Sequence, residues 1–376
     1  MSATAPVAIL RVGAITSAGI NGPASFAALR VRLNNFTPSA LVQQSEHILH
    51  AHIEQPINIA PTGSFVDLSK SAVERQSVLV AKAISECLDN LKDLNTKFIP
   101  LLLCVSDPTL PGRPADLEAK LMDNLQRILG RKFSAQSACY AYGQTATARA
   151  FIHAYELLEK HPFVVLAAVD CLTSFETMLG LMERGQLLTS SNSQGYIPGE
   201  AACALLLSSA SNRHDIEAIF SNTQQLSSQQ KHLTQNGTVT NHLYCTSIAC
   251  DTEPAPKGSR APQRGQGLKR SIDRALAAMQ TAPEQIELRV CSQVSDTYVG
   301  NEIALASSRS QISASQLWCL ADSFGECGAA TGALTLGCLY TAHHKSYAPG
   351  QIVVSLLGGE TMDRAAMLTH FGTYRP

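Results

Sequence analysis

Between residues 133 and 209 the chain reads FSAQSACYAYGQTATARAFIHAYELLEKHPFVVLAAVDCLTSFETMLGLMERGQLLTSSNSQGYIPGEAACALLLSS. A strand of small residues leads to a tight turn at Gly143-Gln144, and an Ala-rich helix follows. Next come an apolar strand at Phe163–Val169, a mixed segment, and a closing strand through Pro198–Leu207. The order predicts a β-α-β unit with a crossover helix. In such a unit the first turn presents one residue, with its backbone N–H, at a helix N-terminus, a seat suited to a nucleophile or an anion. Here that residue is Gln144.

Upstream, Val7–Ile15 reads as a buried strand, and Asn21 can cap a helix that Pro23 opens and that runs to about Leu33. An extended stretch is expected around Ile48–Ile53. Val73, Val80, Ile84, Cys87, Leu88 and Leu91 fall on one face of a second helix. Phe98–Val105 is an almost unbroken apolar run, the pattern of a parallel strand buried on both faces. Another amphipathic helix, Pro114–Leu129, stops at Gly130. Downstream the same grammar returns: strand Ile216–Phe220, helix Gly265–Met279, strand Ile286–Val290, helix Gly300–Ser308, strand Gln316–Leu320, helix Gly328–His344, and strands Ile352–Leu357 and Ala365–Phe371. The segment from about 224 to 264 is polar and rich in Pro and Gly, and reads as a surface insertion. The chain is therefore expected to form two α/β halves, 1–210 and 211–376, with a ligand site between them.

Composition narrows the function classes. The 376 residues are 45% apolar and 16% charged, with a formal net charge of -1, so no basic face points to nucleic acid or acidic membranes. The 11 cysteines show no CxxC pair, which argues against a zinc knuckle or a disulfide framework and for a reduced, cytoplasmic setting. No signal-like N-terminus and no membrane-length apolar run is present. The reading requires no cofactor and no metal.

Four stretches carry a family resemblance. VGAITSAGINGPASFAALRVRL near the N-terminus, AVDCLTSFETMLGLMERGQL with GYIPGEAACALLL, GECGAATGALTLG at Gly325–Gly337, and SLLGGETMDRAAML near the end resemble, in order, the β-ketoacyl synthases of the thiolase superfamily. The resemblance implies a five-layered αβαβα sandwich of two pseudo-symmetric halves, normally dimeric. It further suggests a divergent branch found near bacterial type VI secretion genes. In the family's usual dimer, on this reading, the sheets join edge to edge through the strand after the nucleophile helix, here Phe163–Val169, which would be an aggregation hazard if left exposed.

A condensing enzyme needs a thiolate at the helix N-terminus, two histidines, and two backbone N–H groups as an oxyanion hole. The resemblance places Gln144 at the nucleophile position, and an amide cannot form a thioester. Gln293 or Val294, with Asp296 nearby, stands where the first histidine belongs, and Glu326 stands at the second. The usual lysine has no counterpart around Ala321-Asp322. The Gly358-Gly359 turn is retained, with Leu357 in place of a gatekeeping phenylalanine. A competing alignment puts Cys139 of Ser137-Ala138-Cys139 at the nucleophile position, but it needs about five extra residues before the next strand, roughly a turn and a half of helix. As a plain structural residue Cys139 would be a small buried strand cysteine, Gln144 a loop amide, and Asp296 and Glu326 helix caps or surface carboxylates. His50 and His52 share one face of a strand, but with no third ligand nearby they read as solvent-facing.

Three functions stay open on the sequence. One is a non-condensing acyl-binding or scaffold subunit, a homodimer or the partner of a related synthase, with an acyl chain or acyl-carrier protein as ligand. Another is an acyltransferase using Cys139, or an enzyme using a carboxylate such as Glu326. The third is a secretion-associated interaction protein. The retained small-residue and Gly-Gly framework leads to the expectation of a tunnel for an apolar chain between Gln144, Leu357 and Gly328.

Overall fold

A computed structural model describes residues 5–43, 46–53, 57–59, 64–66, 71–91, 94–212 and 241–373. Ten strands organise it: β1 (Val7–Thr16), β2 (Leu101–Val105), β3 (Ala138–Ala141), β4 (Val164–Cys171), β5 (Glu200–Ser209), β6 (His242–Thr252), β7 (Leu288–Cys291), β8 (Gln316–Cys319), β9 (Ile352–Gly358) and β10 (Asp363–Gly372). They hydrogen-bond in the order β3-β2-β4-β5-β1-β6-β10-β9-β7-β8. Moving each of the first five strands on by five turns one half of this order into the other, read outward from the centre. Directions agree as well: β3–β2 and β2–β4 are parallel, as are β8–β7 and β7–β9. The pairs β4–β5, β5–β1, β9–β10 and β10–β6 are antiparallel. The halves meet where β1 pairs antiparallel with β6 over Val7–Ile9.

Among the described residues eight helices of nine residues or more cover the strands: α1 (Gly22–Arg30), α2 (Ala72–Cys87), α3 (Leu117–Leu129), α4 (Ala146–Leu157), α5 (Phe175–Glu183), α6 (Gln266–Ala278), α7 (Thr297–Arg309) and α8 (Thr331–His344). Strand alternation sorts the core into layers. In β4, Val165, Ala167 and Val169 join an outer core with α2 and α3, while Val164, Leu166 and Ala168 face an inner core that holds α4 and α8. In the other half Val353 and Met367 face the same inner core, and Val354 and Leu368 pack outward against α6 and α7. The architecture is the expected five-layered αβαβα sandwich. α8 is buried around most of its circumference, as a helix sandwiched between two sheets must be.

Two expectations are corrected. β4, which contains most of Phe163–Val169, is an interior strand paired on both sides by β2 and β5; the edge of this half is β3, before the central helix rather than after it. Continuous apolarity marked a strand buried on both faces, which is also what an interior parallel strand requires. The segment 224–264 is not all surface loop: β6 runs through it as one of the two central strands. Its Leu243 and Cys245 reach the inner core, but the polar residues among them and the Pro-rich flank hid the pattern. Ile216–Phe220 and residues 224–240 lie outside the described residues. Phe98 belongs to a 3₁₀ turn, Thr96–Phe98, ahead of β2.

The central layer depends on one close approach. A Cβ placed on Gly332 of α8 would lie 2.6 Å from Cβ of Thr147 on α4, so only glycine lets the helices sit this close. Gly332→Ala is expected to lower stability by about 1–3 kcal/mol, the usual cost of overpacking a core. Chemical denaturation measures it, and an unchanged midpoint would show that the helices separate freely.

Candidate functional site

The two halves place equivalent turns at the N-termini of the two central helices. Gly143–Thr145 opens α4 and Gly328–Ala330 opens α8; each is a single 3₁₀ turn that starts on a glycine with positive φ, +52° and +50°. The turns face a common cleft of about 100 Å³ whose lining includes Ser106, Asp107, Gln144, Asp170, Glu326 and Glu360.

Gln144 stands on the first turn. Its amide oxygen is buried without a hydrogen-bond partner among the described residues, and its side chain hydrogen-bonds Glu326. The Gly358-Gly359 turn closes over it: a Cβ on Gly359 would lie 3.2 Å from the Gln144 carboxamide carbon. The structure therefore brings together Gln144, Glu326 and Gly359. Leu357 is 1% exposed, belongs to the inner core and does not line the cleft.

The second turn is held by two buried carboxylates. Glu326 Oε1 accepts from Gly328 N at 2.8 Å and from Thr331 Oγ1 at 3.4 Å, and its Oε2 accepts from Ser292 Oγ. Asp170, at the end of β4, accepts from Cys171 N and Ala329 N, both at 2.9 Å. Free N–H groups and the positive end of α8 explain why acids collect here. A Cβ on Gly328 would sit 2.2 Å from Asp170 Oδ2, so the glycine makes room for the carboxylate as well as for the turn. Burial pushes the Asp170 carboxyl up to about 7, against the pull of its two N–H bonds and with the help of the Glu326 charge. Burial also raises Glu326, opposed by Ser292, Gly328 and Gln144. Tyr196 is raised by burial and by Glu360, Glu326, Asp296 and Asp170 together. The cleft is thus weighted towards negative charge although Leu110, Pro111, Tyr142 and Leu172 also wall it, and Leu357, one corner of the expected tunnel, packs in the inner core instead of lining it.

Other sequence candidates have structural duties. Asp296 caps α7, accepting from Tyr298 N at 2.9 Å and Val299 N at 3.1 Å. Gln293 Oε1 accepts from Asp296 N at 2.8 Å and so fixes that cap. Val294 is 41% exposed. Glu326 is buried rather than a surface carboxylate. Cys139 lies mid-strand in β3, paired in register with Leu103, away from any helix N-terminus; burial, then the Glu118 charge, push its thiol up to about 11.

Sequence reasoning missed three groups. Asp170 ends the run VVLAAVD, and a charge closing a buried strand was its available signal. Lys257, from the presumed insertion, binds Asp296 and, at 3.1 Å, Glu360. Fully buried Glu200 takes Arg75 Nε at 2.5 Å, Ile53 N at 2.6 Å and His52 Nδ1 at 3.1 Å. Burial opposes its charge, yet Arg75 and His52 hold its carboxyl well below the usual range. His52 is therefore a half-buried partner of this acid, not a solvent-facing residue; its ring also stacks on His50 at 5.0 Å.

Solved structures share this architecture over 99% of the chain. The PfaC ketosynthase–chain length factor has a TM-score of 0.69 at 10% identity, and the chain spans 43% of its length. A β-ketoacyl synthase from Burkholderia phymatum gives 0.71 at 13%, with all of that chain covered. The ketosynthase ApeO in complex with its chain length factor ApeC, from Xenorhabdus doucetiae, gives 0.70 at 12%, with 99% covered. No family model and no curated protein matches the sequence. The chain has the thiolase-like fold of the β-ketoacyl synthases. No helix among the described residues is long and apolar enough to cross a membrane.

The raised Asp170 fixes a pH dependence. Its ordinary carboxyl value is 3.8, so between there and about 7 the folded protein keeps a proton that the unfolded chain has lost, and stability falls as pH rises. Asp170→Asn is expected to make that decline shallower, with the raised Glu302 and Glu326 still contributing to it. Thermal melts of both proteins across this window measure it, and identical slopes would place Asp170 at its ordinary value.

Proposed function

We propose that the chain is a non-condensing subunit of ketosynthase fold, acting as a scaffold that pairs with a related synthase or with a second copy of itself. The observation that carries this reading is Gln144 on the turn that opens α4, where the family resemblance puts the nucleophile. A carboxamide on that turn can neither form a thioester nor supply a thiolate. Around it the carboxylates already serve the protein's own groups: Glu326 accepts from Ser292 Oγ and Gly328 N, Asp170 accepts from Ala329 N on the turn that opens α8, and Asp296 caps α7. The carboxylates facing the cleft also have the wrong sign for a malonyl group, whose carboxylate and developing enolate they would repel. Cys139 offers no substitute, because its thiol is raised and lies in the middle of a strand.

The charge of the cleft favours a scaffold over an acyl carrier. Asp107, Asp170, Glu326 and Glu360 stand beside Leu110, Pro111, Tyr142 and Leu172, so an apolar chain entering it would meet four carboxyl groups. A partner is favoured by β3, which among the described residues ends the sheet with one side unpaired and is half-exposed throughout. An open strand edge is a template for pairing with another chain. ApeO and ApeC, whose complex includes a chain of this fold and length, supply a model for such a pair.

Intact-protein mass spectrometry after incubation with acyl-CoA and acyl-carrier protein is expected to show unmodified protein. Gln144→Cys is expected to leave condensation absent, since no histidine replaces Glu326. An acyl adduct on the wild type that survives Gln144→Ala and disappears in Cys139→Ala would overturn the proposal in favour of a Cys139 acyltransferase. Light scattering is expected to show self-association at micromolar concentration or, with a co-expressed synthase, a mixed pair. A monodisperse monomer that binds no synthase would refute the pairing.

A further inference from the structure

At the far edge of the sheet, opposite β3, two cysteines face each other. Cys291 ends β7, Cys319 ends β8, and they are register partners on parallel strands with their Sγ atoms 3.5 Å apart. Neighbouring strands lie about 4.8 Å apart, within the Cα separation that a disulfide spans. β8 has four residues and, among the described residues, is hydrogen-bonded to a strand on one side only, so it can make the small shift that a bond between the sulfurs needs. Cys291 is fully buried and Cys319 partly exposed. Cys319 also borders a cleft of about 280 Å³ that Arg30, Arg32, Trp318 and Tyr347 help to line. Neither cysteine takes part in the site at Gln144.

We propose that Cys291 and Cys319 form a redox-active dithiol whose oxidant is a hydroperoxide, with Cys319 as the attacking sulfur and Cys291 as the resolving one. In the first step the Cys319 thiolate attacks a peroxide oxygen. An S–O bond forms, the O–O bond breaks, and the leaving alkoxide or hydroxide takes up a proton from water. In the second, Cys291 sulfur attacks Cys319 sulfur; the S–S bond forms, the S–O bond breaks, and water leaves with the Cys291 proton. The two thiols together give up two electrons, and the peroxide accepts them.

The environment separates these roles. The Cys291 thiol, followed by the Arg289 and Arg32 charges, draws Cys319 below the ordinary thiol range, against burial and the Asp322 charge. The hydrogen bond to Cys319, and then burial, raise Cys291. Elsewhere burial pushes Cys87, Cys245 and Cys338 up to about 12. A partly exposed, more acidic thiol beside a buried, less acidic one is the asymmetry that attack and resolution require.

Titration of the full chain with hydrogen peroxide, read by intact mass and thiol counting, tests the proposal. Wild type is expected to lose the mass of two hydrogens and two of its 11 thiols, both restored by reductant, with the bridge mapping to the peptides that hold Cys291 and Cys319. In Cys291→Ser the intermediate is expected to persist as a sulfenic acid on Cys319, captured by dimedone; Cys319→Ser and Cys319→Ala are expected to lose both signals while keeping the wild-type circular dichroism. A bridge between other cysteines, dimedone capture elsewhere in Cys291→Ser, or a full complement of free thiols after peroxide would overturn it.

Discussion

The crossing of two buried helices at Thr147 and Gly332 sets the geometry of everything else. Each helix arrives from a strand in its own half, and each presents its N-terminal turn to the same cleft. Because the helices nearly touch, the two sheets that flank them are drawn within reach of a single inner core. Groups more than 150 residues apart, such as Asp170 and Ala329, then meet at hydrogen-bond distance. A helix N-terminus held away from water must find acceptors, and Asp170 and Glu326 provide them. The same backbone feature that can seat an anion in a catalyst is here occupied by the protein's own carboxylates.

Much of this was legible in the sequence. The Phe133–Ser209 stretch gave β3, α4, β4 and β5 in order, since small residues, helical spacing and continuous apolar runs each leave a distinct pattern. Gln144 was found because a glycine before it forced a turn between strand and helix. What the sequence hid was long-range. The ladder positions of β4 and β3 depend on which strands flank them, and apolarity does not distinguish an interior strand from a protected edge. β6 was lost because a strand with helices and sheet around it can carry Ser, Thr and His where hydrogen-bond partners exist. Asp170 and Glu200 were invisible as buried acids because their partners, Ala329 and Arg75, are remote in sequence.

The acids also show how a buried charge is accommodated in two ways. Glu200 stays ionised because a guanidinium and an imidazole lie beside it. Asp170 has two backbone N–H groups and only the smaller pull of the Arg113 charge, so burial prevails and it holds its proton towards neutrality. Similar burial thus gives opposite shifts, decided by whether a cation is hydrogen-bonded to the acid.

The joint between β1 and β6 carries a consequence for how the molecule is made. On a ribosome, β1 emerges early, yet its partner on one side lies beyond residue 241. Until that segment appears, the first half has β1 as an open inner edge and α4 without its companion α8. A half-built sandwich of this kind exposes, for as long as synthesis lasts, apolar surface and unpaired backbone that the finished protein covers.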